Sequence, residues 1–257
     1  MEIIQFSHSN GFPASTYSTF FNYLPAQFEL RYIEKFGMNA YQAQRGWDEL
    51  TLELVEAVRT AQKPVIGLGH SLGGVLTYKA ACRFPELFKA VIVIEPPIVL
   101  GRTARIIYLS QILGIGERMN PLAKRARVRK NYFSSRDEAF EYFRGKRLFK
   151  GFHPDSFQDY ITHGLESSGE GIKLGIPRAL EADIFNTLPT RYDWNFPLPL
   201  YFLYATSYPV LTERVILSLK KLLPQATFMP FSDGGHMYPM ENPSACASTI
   251  NKILTNF

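Results

Sequence analysis

The sequence predicts an α/β fold built on a mostly or wholly parallel sheet of about six strands. Short apolar runs alternate with segments of helical periodicity through the first third of the chain, and the alternation returns near the end. Residues 90–94 form a continuous, mostly β-branched apolar run, which is typical of a strand covered on both faces. Together these observations favour one sheet with helices packed on both sides.

Each predicted strand is a short apolar or alternating run, and each predicted helix repeats apolar residues every three or four positions. Pro25 ends the first helix, which Ser15 or Thr16 can cap. The predicted strands are residues 3–6, 28–33, 64–68, 90–94, 198–205 and 226–231. The predicted helices are residues 15–24, 46–62, 75–83, 212–223 and 243–254.

The alternation stops at Glu95-Pro96-Pro97. The following residues, to about position 195, show helical periodicity and many aromatic side chains but no convincing strand. We therefore predict an α/β core made of residues 1–97 and 196–257, interrupted by a helical lid insertion at residues 98–195. One large domain of this size can bury roughly 70–75% of its unfolded surface.

The chain of 257 residues has a formal net charge of +5, and the positive charge is concentrated in the predicted insertion. Residues 98–150 contain thirteen Lys or Arg against four Asp or Glu. A nucleic-acid footprint and a solvated lid surface are both compatible with this bias. Because no nucleic-acid-binding motif accompanies the charge, we expect the solvated surface and no nucleic-acid partner.

Several features bear on where the protein works. No apolar stretch approaches the ~20 residues of a membrane helix, and Met1 to Phe6 lacks a basic segment followed by a long apolar one. We therefore expect a cytoplasmic protein without stable membrane insertion. Cys82 and Cys246 are isolated, so free thiols are expected, although a disulfide remains open.

The most informative motif is Gly69-His70-Ser71-Leu72-Gly73, which lies between an apolar strand and a helical pattern. A serine on such a turn needs neighbours without side chains, because Cβ atoms at both glycine positions would meet the adjoining strand and helix. The turn exposes the hydroxyl at the sheet edge and directs the first N–H groups of the helix towards an anion beside it. Ser71 is therefore a candidate nucleophile.

A nucleophilic serine needs a base, and His236 has the best position among the five histidines. It follows the last predicted strand, in Asp233-Gly234-Gly235-His236, at the carboxyl edge where open α/β sheets place their sites. His70 lies inside the turn, where its ring is badly placed to take the serine proton. His8 can line the site, whereas His153 and His163 belong to the insertion.

These motifs, with Asn10-Gly11-Phe12-Pro13 after the first strand, make the chain similar to the α/β-hydrolase family over nearly its whole length. The resemblance implies that Ser71 is the nucleophile and that His236 is the general base and later acid. It also implies an oxyanion hole formed by the backbone N–H groups of Leu72 and Phe12. The family's sheet usually begins with two further strands before the one predicted at residues 3–6, so we expect a shortened sheet of six strands.

The third member of the triad departs from the usual pattern. Family members most often carry an aspartate after the strand that follows the lid, where this chain has Ser207. Others carry the acid after the strand next to the nucleophile's own, which here ends at Glu95. Glu95 is our predicted acid, with a lid-anchoring role as the alternative and Glu213 as the reserve. Asp233 is interpreted as a turn residue.

The chemistry that follows is hydrolysis of carboxylic esters through an acyl-enzyme, with a small apolar ester as substrate and no metal or organic cofactor. One alternative is a thioesterase for acyl-coenzyme A, in which Lys124, Arg125 or Arg127 of the basic lid holds phosphate groups. A second alternative is a binding protein that retains Ser71 and His236 without catalysis. Acyl length and oligomeric state stay open.

Overall fold

The computed structural model describes all 257 residues and contains a six-stranded, entirely parallel sheet. The strands of this sheet are β1 (Glu2–Ser7), β2 (Phe28–Tyr32), β3 (Val65–His70), β4 (Phe88–Ile94), β8 (Leu200–Ala205) and β9 (Thr227–Phe231). Their order in the sheet is β2-β1-β3-β4-β8-β9, which confirms the predicted class and strand number.

Helices surround the sheet, and short 3-10 turns lie at Ala14–Tyr17, Pro85–Leu87 and Arg147–Phe149. The predicted helix bounds differ from the observed ones by one to three residues in most cases, and the last helix matches. The α-helices are α1 (Ser18–Phe21), α2 (Asp48–Arg59), α3 (Leu72–Arg83), α4 (Gly101–Ile112), α5 (Gly116–Met119), α6 (Pro121–Val128), α7 (Arg136–Arg144), α8 (Pro154–His163), α9 (Arg178–Asn186), α10 (Glu213–Leu222), α11 (Tyr238–Glu241) and α12 (Pro243–Leu254).

Alternate residues of the buried strands face two separate apolar cores. Ile92 and Ile94 of β4 pack in one core with residues of α12, whereas Val91 and Val93 pack in the other with residues of α2, α3 and α10. This alternation follows from the two-residue period of a strand, which sends successive side chains to opposite faces. The sheet is therefore the middle layer of a three-layer α/β sandwich.

The segment between Glu95 and Phe196 is not wholly helical, so the expectation of no strand there is wrong. Three short antiparallel strands form a second sheet in the order β5-β7-β6. They are β5 (Tyr132–Phe133), β6 (Leu165–Ser168) and β7 (Gly171–Leu174). Strands of two to four residues with mixed polarity give too short a pattern to detect. The hairpin between β6 and β7 turns at Gly169, whose φ of +62° suits glycine.

Residues 98–195 contact the core at several places. Helix α8 packs on α1 and on the 3-10 turn before it, and the backbone and hydroxyl of Thr19 both donate to Asp159 (2.7 and 2.6 Å). Trp47 donates its indole N–H to the carbonyl of Ile184 (3.1 Å). An aromatic cluster of the insertion, including Phe149 and Tyr160, packs directly on Phe12. The insertion thus covers the loop that follows β1.

Candidate active site

Ser71 occupies a sharp turn between β3 and α3. Its backbone has φ +53° and ψ −116°, a conformation that costs energy for a residue with a side chain. The turn is held because the N–H of Ser71 donates to the carbonyl of Ile94 (2.9 Å). A Cβ at Gly69 would lie 2.3 Å from the carbonyl oxygen of Gly73, and one at Gly73 would lie 2.0 Å from that of Ser7. Both glycines are therefore required by close backbone approach.

His236 lies directly beside the serine. The distance between its Nε2 and Oγ of Ser71 is 3.0 Å, within hydrogen-bond reach. This pair joins two residues 165 positions apart, brought together because β3 and β9 end at the same edge of the sheet. Ser71 is largely buried and His236 is half-buried. The structure thus brings together the two residues that the sequence placed at this edge of the sheet.

Glu95 lies on the far side of the histidine ring. Its Oε2 is 3.5 Å from Nδ1 of His236, which has no hydrogen-bond partner within the protein. The carboxylate is fully buried and accepts two backbone hydrogen bonds of 2.7 Å, from the N–H groups of Ala205 and Val210. Two such donors stabilise a charged carboxylate that burial would otherwise disfavour. The structure therefore places His236 between Ser71 and Glu95, with one ring nitrogen near each.

The other candidate acids lie elsewhere. Glu213 is exposed in the first turn of α10 and forms no ion pair, and Ser207 is exposed in the loop after β8. The last residue of β8, Ala205, and Val210 of that loop each donate a backbone N–H to Glu95, and no carboxylate of the loop takes its place. Asp233 accepts a hydrogen bond from the side-chain amide of Asn242 (2.9 Å), in keeping with a turn residue.

His70 is completely buried between the nucleophile turn and the His236 loop. Its Nε2 lies 2.8 Å from the backbone carbonyl of His236, which only accepts, so Nε2 carries the proton. Nδ1 then accepts from the hydroxyl of Tyr17 at 2.7 Å. Burial, with the neighbouring His236 acting in the same direction, lowers the pKa of His70 to about 3. His70 is thus a neutral clamp on the His236 loop.

His8 is also buried and neutral, and it does not contact Ser71. Its Nδ1 donates to the carbonyl of Ser9 (2.8 Å) and its Nε2 accepts from the N–H of Phe36 (3.1 Å). Burial lowers its pKa to about 4. His153 caps α8 and His163 is exposed at the end of the same helix. Among the histidines, only His236 has a ring nitrogen within hydrogen-bond distance of the Ser71 hydroxyl.

The two expected oxyanion donors differ in their surroundings. Leu72 is the first residue of α3, so its N–H has no partner within that helix. The N–H of Phe12 donates to the carbonyl of Ser9 at 3.2 Å, the long end of the hydrogen-bond range. Gly11, with φ +80°, makes the turn that brings this N–H to the sheet edge. Phe12 would have to share its proton between Ser9 and a bound oxyanion.

A charged pair from the insertion lies against the same loop. Arg129 forms a bidentate ion pair with Glu181, and a Cβ at Gly11 would lie 3.2 Å from the carboxyl carbon of Glu181. Burial raises the pKa of Glu181, while Arg129 acts in the opposite direction. The side chain of Asn10 donates to the carbonyl of Glu181 (3.0 Å). These contacts bind α9 to the loop after β1.

Three supporting contacts had no signal in the sequence. Tyr17 lies in a short 3-10 turn without a motif, Val210 contributes only its backbone, and Glu241 belongs to a four-residue helix. The carboxylate of Glu241 accepts from the N–H of Gly235, one residue before His236. Such partners become visible only when the loops that carry them are placed in three dimensions.

Other groups of potential chemical interest are separate from this site. Both cysteines are free; burial raises the pKa of Cys82 to about 12 and also raises that of Cys246. No three His, Cys, Asp or Glu side chains are grouped as a metal site would require. No helix has the length and apolar character needed to cross a bilayer.

The chain belongs to the α/β-hydrolase family, because the profile of that family matches residues 8–249. The family match includes both the Ser71 turn and the His236 loop, and it agrees with the sheet order described above. No curated protein matches the sequence.

Solved structures share the fold at low sequence identity. An E-2-(acetamidomethylene)succinate hydrolase superposes with a TM-score of 0.80 at 16% identity, covering 99% of this chain and 91% of that one. A peroxisomal α/β-hydrolase of Saccharomyces cerevisiae gives 0.75 at 14% identity, covering 99% and 76%. A thioesterase domain from the curacin biosynthetic pathway gives 0.74 at 14% identity, covering 98% and 91%. These similarities show that the chain shares the fold of these proteins.

Proposed function

We propose that the protein is a serine hydrolase that cleaves carboxylic esters through an acyl-enzyme. The observation that carries the proposal is the aligned set of Ser71, His236 and Glu95, with 3.0 Å between Oγ and Nε2 and 3.5 Å between Nδ1 and Oε2. A serine within hydrogen-bond reach of a histidine, backed by a buried carboxylate, is the arrangement that activates a hydroxyl.

The reaction proceeds in two halves. Oγ of Ser71 attacks the ester carbonyl while His236 takes the serine proton, and Glu95 stabilises the imidazolium that forms. The developing oxyanion receives hydrogen bonds from the N–H groups of Leu72 and Phe12. His236 gives the proton to the leaving alcohol, and the acyl group stays on Ser71. Water then attacks the acyl-enzyme by the same steps and releases the carboxylic acid.

The substrate we propose is a small ester with an apolar acyl group. The support comes from the aromatic side chains of the insertion that pack beside Phe12, among them Phe152 and Tyr160. Residues 98–195 would act as a lid over this acyl site. Arg129 and Glu181 place one polar pair beside Gly11, so we expect a preference for short acyl chains.

The decisive experiment compares the native chain with Ser71→Ala on p-nitrophenyl esters of graded acyl length. We expect activity on short chains and a loss of at least about a thousandfold in the variant. Ser244→Ala, an exposed serine at the start of α12, is the matched control and should behave like the native chain. Full activity of Ser71→Ala would refute the nucleophile assignment.

A fluorophosphonate probe distinguishes catalysis from simple binding. The probe reacts only with an activated serine, so we expect labelling of the native chain within minutes and none of Ser71→Ala or His236→Ala. An unlabelled native chain would favour a binding member of the fold.

A thioesterase remains a second candidate because Lys124 and Arg125 of α6 are exposed and form no ion pair, so they are free to hold phosphate groups. Arg127 is excluded from that role, since it pairs with Glu117 (3.1 Å) and Asp183 (2.6 Å) within the insertion. A thioesterase would prefer acyl-coenzyme A over p-nitrophenyl esters, and Lys124→Gln/Arg125→Gln would raise its KM several-fold. An unchanged KM would rule out this use of the lid.

A further inference from the structure

Helix α4 carries apolar side chains on the face that points to solvent. Ile106, Leu109, Ile112 and Leu113 are each at least 50% exposed, whereas Ala104 and Ser110 on the opposite side are buried. At 100° per residue, the four exposed side chains fall within an arc of about 120°. An amphipathic surface helix normally shows polar residues there and apolar residues towards the core. The outward apolar arc therefore lacks a partner in the monomer.

The charged residues on the same arc are all basic. Arg102 and Arg105 project between the apolar residues of α4 and form no ion pair. The following helices continue the pattern with exposed Arg118, Lys124 and Arg125, and with exposed Met119, Leu122 and Val128. The only acidic residue of residues 101–128, Glu117, is paired with Arg127. We call the exposed side chains of residues 101–128 the basic–apolar surface.

We propose that the basic–apolar surface docks onto an anionic lipid bilayer, with α4 lying in the plane of the interface. Apolar residues flanked by arginine and lysine are the composition of interfacial helices, whose aliphatic side chains enter the boundary of the acyl chains while the cations meet anionic headgroups. This is peripheral binding, and no helix crosses the membrane.

Two other occupants fit the surface less well. A symmetric dimer would place this surface against its own copy, and five unpaired cations would then face five others. A protein partner would be expected to use aromatic anchors and a pocket at the centre of the interface. The exposed apolar residues of residues 101–128 are aliphatic or methionine, and no aromatic residue is among them. The charge and the side-chain types both favour lipid.

The surface is connected to the site through α9. Helix α6 packs on α9, and α9 places Glu181 against Gly11. Docking would therefore hold residues 98–195 at the bilayer, and these residues in turn contact the loop beside the candidate active site. The proposal concerns binding alone and does not depend on the ester chemistry, so each can fail separately.

The test is sedimentation of the native full chain with vesicles of phosphatidylcholine, alone or with about a third phosphatidylglycerol, at low and at physiological salt. We expect binding to the anionic vesicles, at least tenfold weaker binding to the neutral ones, and weakening by salt. Arg102→Gln/Arg105→Gln should reduce binding about tenfold or more, since each cation near the surface contributes roughly fivefold. Lys221→Gln/Lys252→Gln, which removes two exposed cations far along the chain, should leave binding unchanged.

Ile106→Ser/Leu109→Ser tests the apolar part and should reduce binding at least tenfold. Leu217→Ser, at an equally exposed position of α10, is its control. Far-ultraviolet circular dichroism and the unfolding midpoint confirm that each variant folds. The proposal would be overturned if the native chain did not bind anionic vesicles, or if the two control variants lost as much vesicle binding as the variants of residues 101–128. It would also be overturned if the native chain were a dimer that bound no vesicles and that Ile106→Ser/Leu109→Ser converted to a monomer.

Discussion

The side chain of Glu95 makes two kinds of contact, one to the ring of His236 and one to backbone N–H groups of a neighbouring strand and loop. Its carboxylate faces Nδ1 of His236, and it also accepts the backbone N–H groups of Ala205 and Val210 that close the loop after β8. Its own backbone has φ +45°, a strained value for glutamate. Glu95 therefore anchors the loop after β8, which differs from the lid anchoring considered as the alternative from the sequence. The same carboxylate can also serve the catalytic role that we propose.

Glu95→Gln is expected to lower kcat by about a thousandfold, because an amide cannot stabilise the imidazolium as a carboxylate does. The substitution should also lower the free energy of unfolding by about 1–3 kcal/mol, since the new NH₂ group faces a backbone N–H. Steady-state kinetics and urea unfolding separate the two effects. Glu213→Gln is the control and should match the native chain; a near-normal kcat for Glu95→Gln would move the acid elsewhere.

Tyr17→Phe tests the clamp formed by His70. Without the hydroxyl, Nδ1 of His70 loses its donor, and the proton that holds the carbonyl of His236 can leave Nε2. We expect kcat to fall about tenfold with KM unchanged, because Tyr17 is fully buried and its hydroxyl contacts only His70 and the N–H of Ser9 (3.2 Å). Tyr23→Phe, at an exposed ring six positions further on, should have no effect. A parallel rise in KM would indicate general loosening of the site instead.

Helix α3 packs so closely on strand β1 that no side chain fits between them at Gly73. The carbonyl oxygen of Ser7 would lie 2.0 Å from a Cβ at Gly73. Gly73→Ala must push the helix away from the strand, and we expect a loss of at least about 3 kcal/mol of stability or failure to fold.

Gly145→Ala is the matched control for that change. Gly145 ends α7 with φ −75°, and its nearest contact to an added Cβ is 3.7 Å. We expect its free energy of unfolding, measured in urea, to differ from the native value by no more than about 0.5 kcal/mol. Equal stability of Gly73→Ala and Gly145→Ala would contradict the close-packing argument.

Elements with a strong local pattern could be predicted from the sequence. Strand β4 and helix α12 have long apolar repeats, and the turn at Ser71 has glycines whose spacing follows from sterics. The strands β5, β6 and β7 could not be predicted, because they are too short to show a periodic pattern of apolar residues. The proximity of Ser71, His236 and Glu95 could be predicted because each follows a predicted strand of the same sheet. The partners Tyr17 and Val210 could not, because their contacts depend on loop conformation.

Two buried neutral histidines make the stability of the whole molecule depend on pH. His8 and His70 have pKa values of about 4 and about 3 in the folded protein, below the ordinary histidine value. An unfolded chain therefore binds protons at these sites as the pH falls below about 6.5, whereas the folded chain does not. Stability is retained at neutral pH and decreases as the pH falls towards 4, by up to about 1.4 kcal/mol per pH unit for each histidine.

The measurement is urea unfolding at pH 7, 5.5 and 4.5. His8→Asn should have a shallower loss of stability with acid than the native chain, whatever its stability at pH 7. His163→Asn removes an exposed histidine and should keep the native slope. Identical slopes for all three chains would show that His8 does not titrate as its burial implies.

The order of the strands along the chain also has a consequence for synthesis. Strand β4 pairs with β8 across more than a hundred residues, and β9 with the His236 loop comes later still. A nascent chain that has emerged as far as α10 contains Ser71 and Glu95 but has no base to activate the hydroxyl. Under the proposed mechanism, the hydroxyl of Ser71 would stay unactivated on the ribosome and would become reactive only when the last strand joins the sheet.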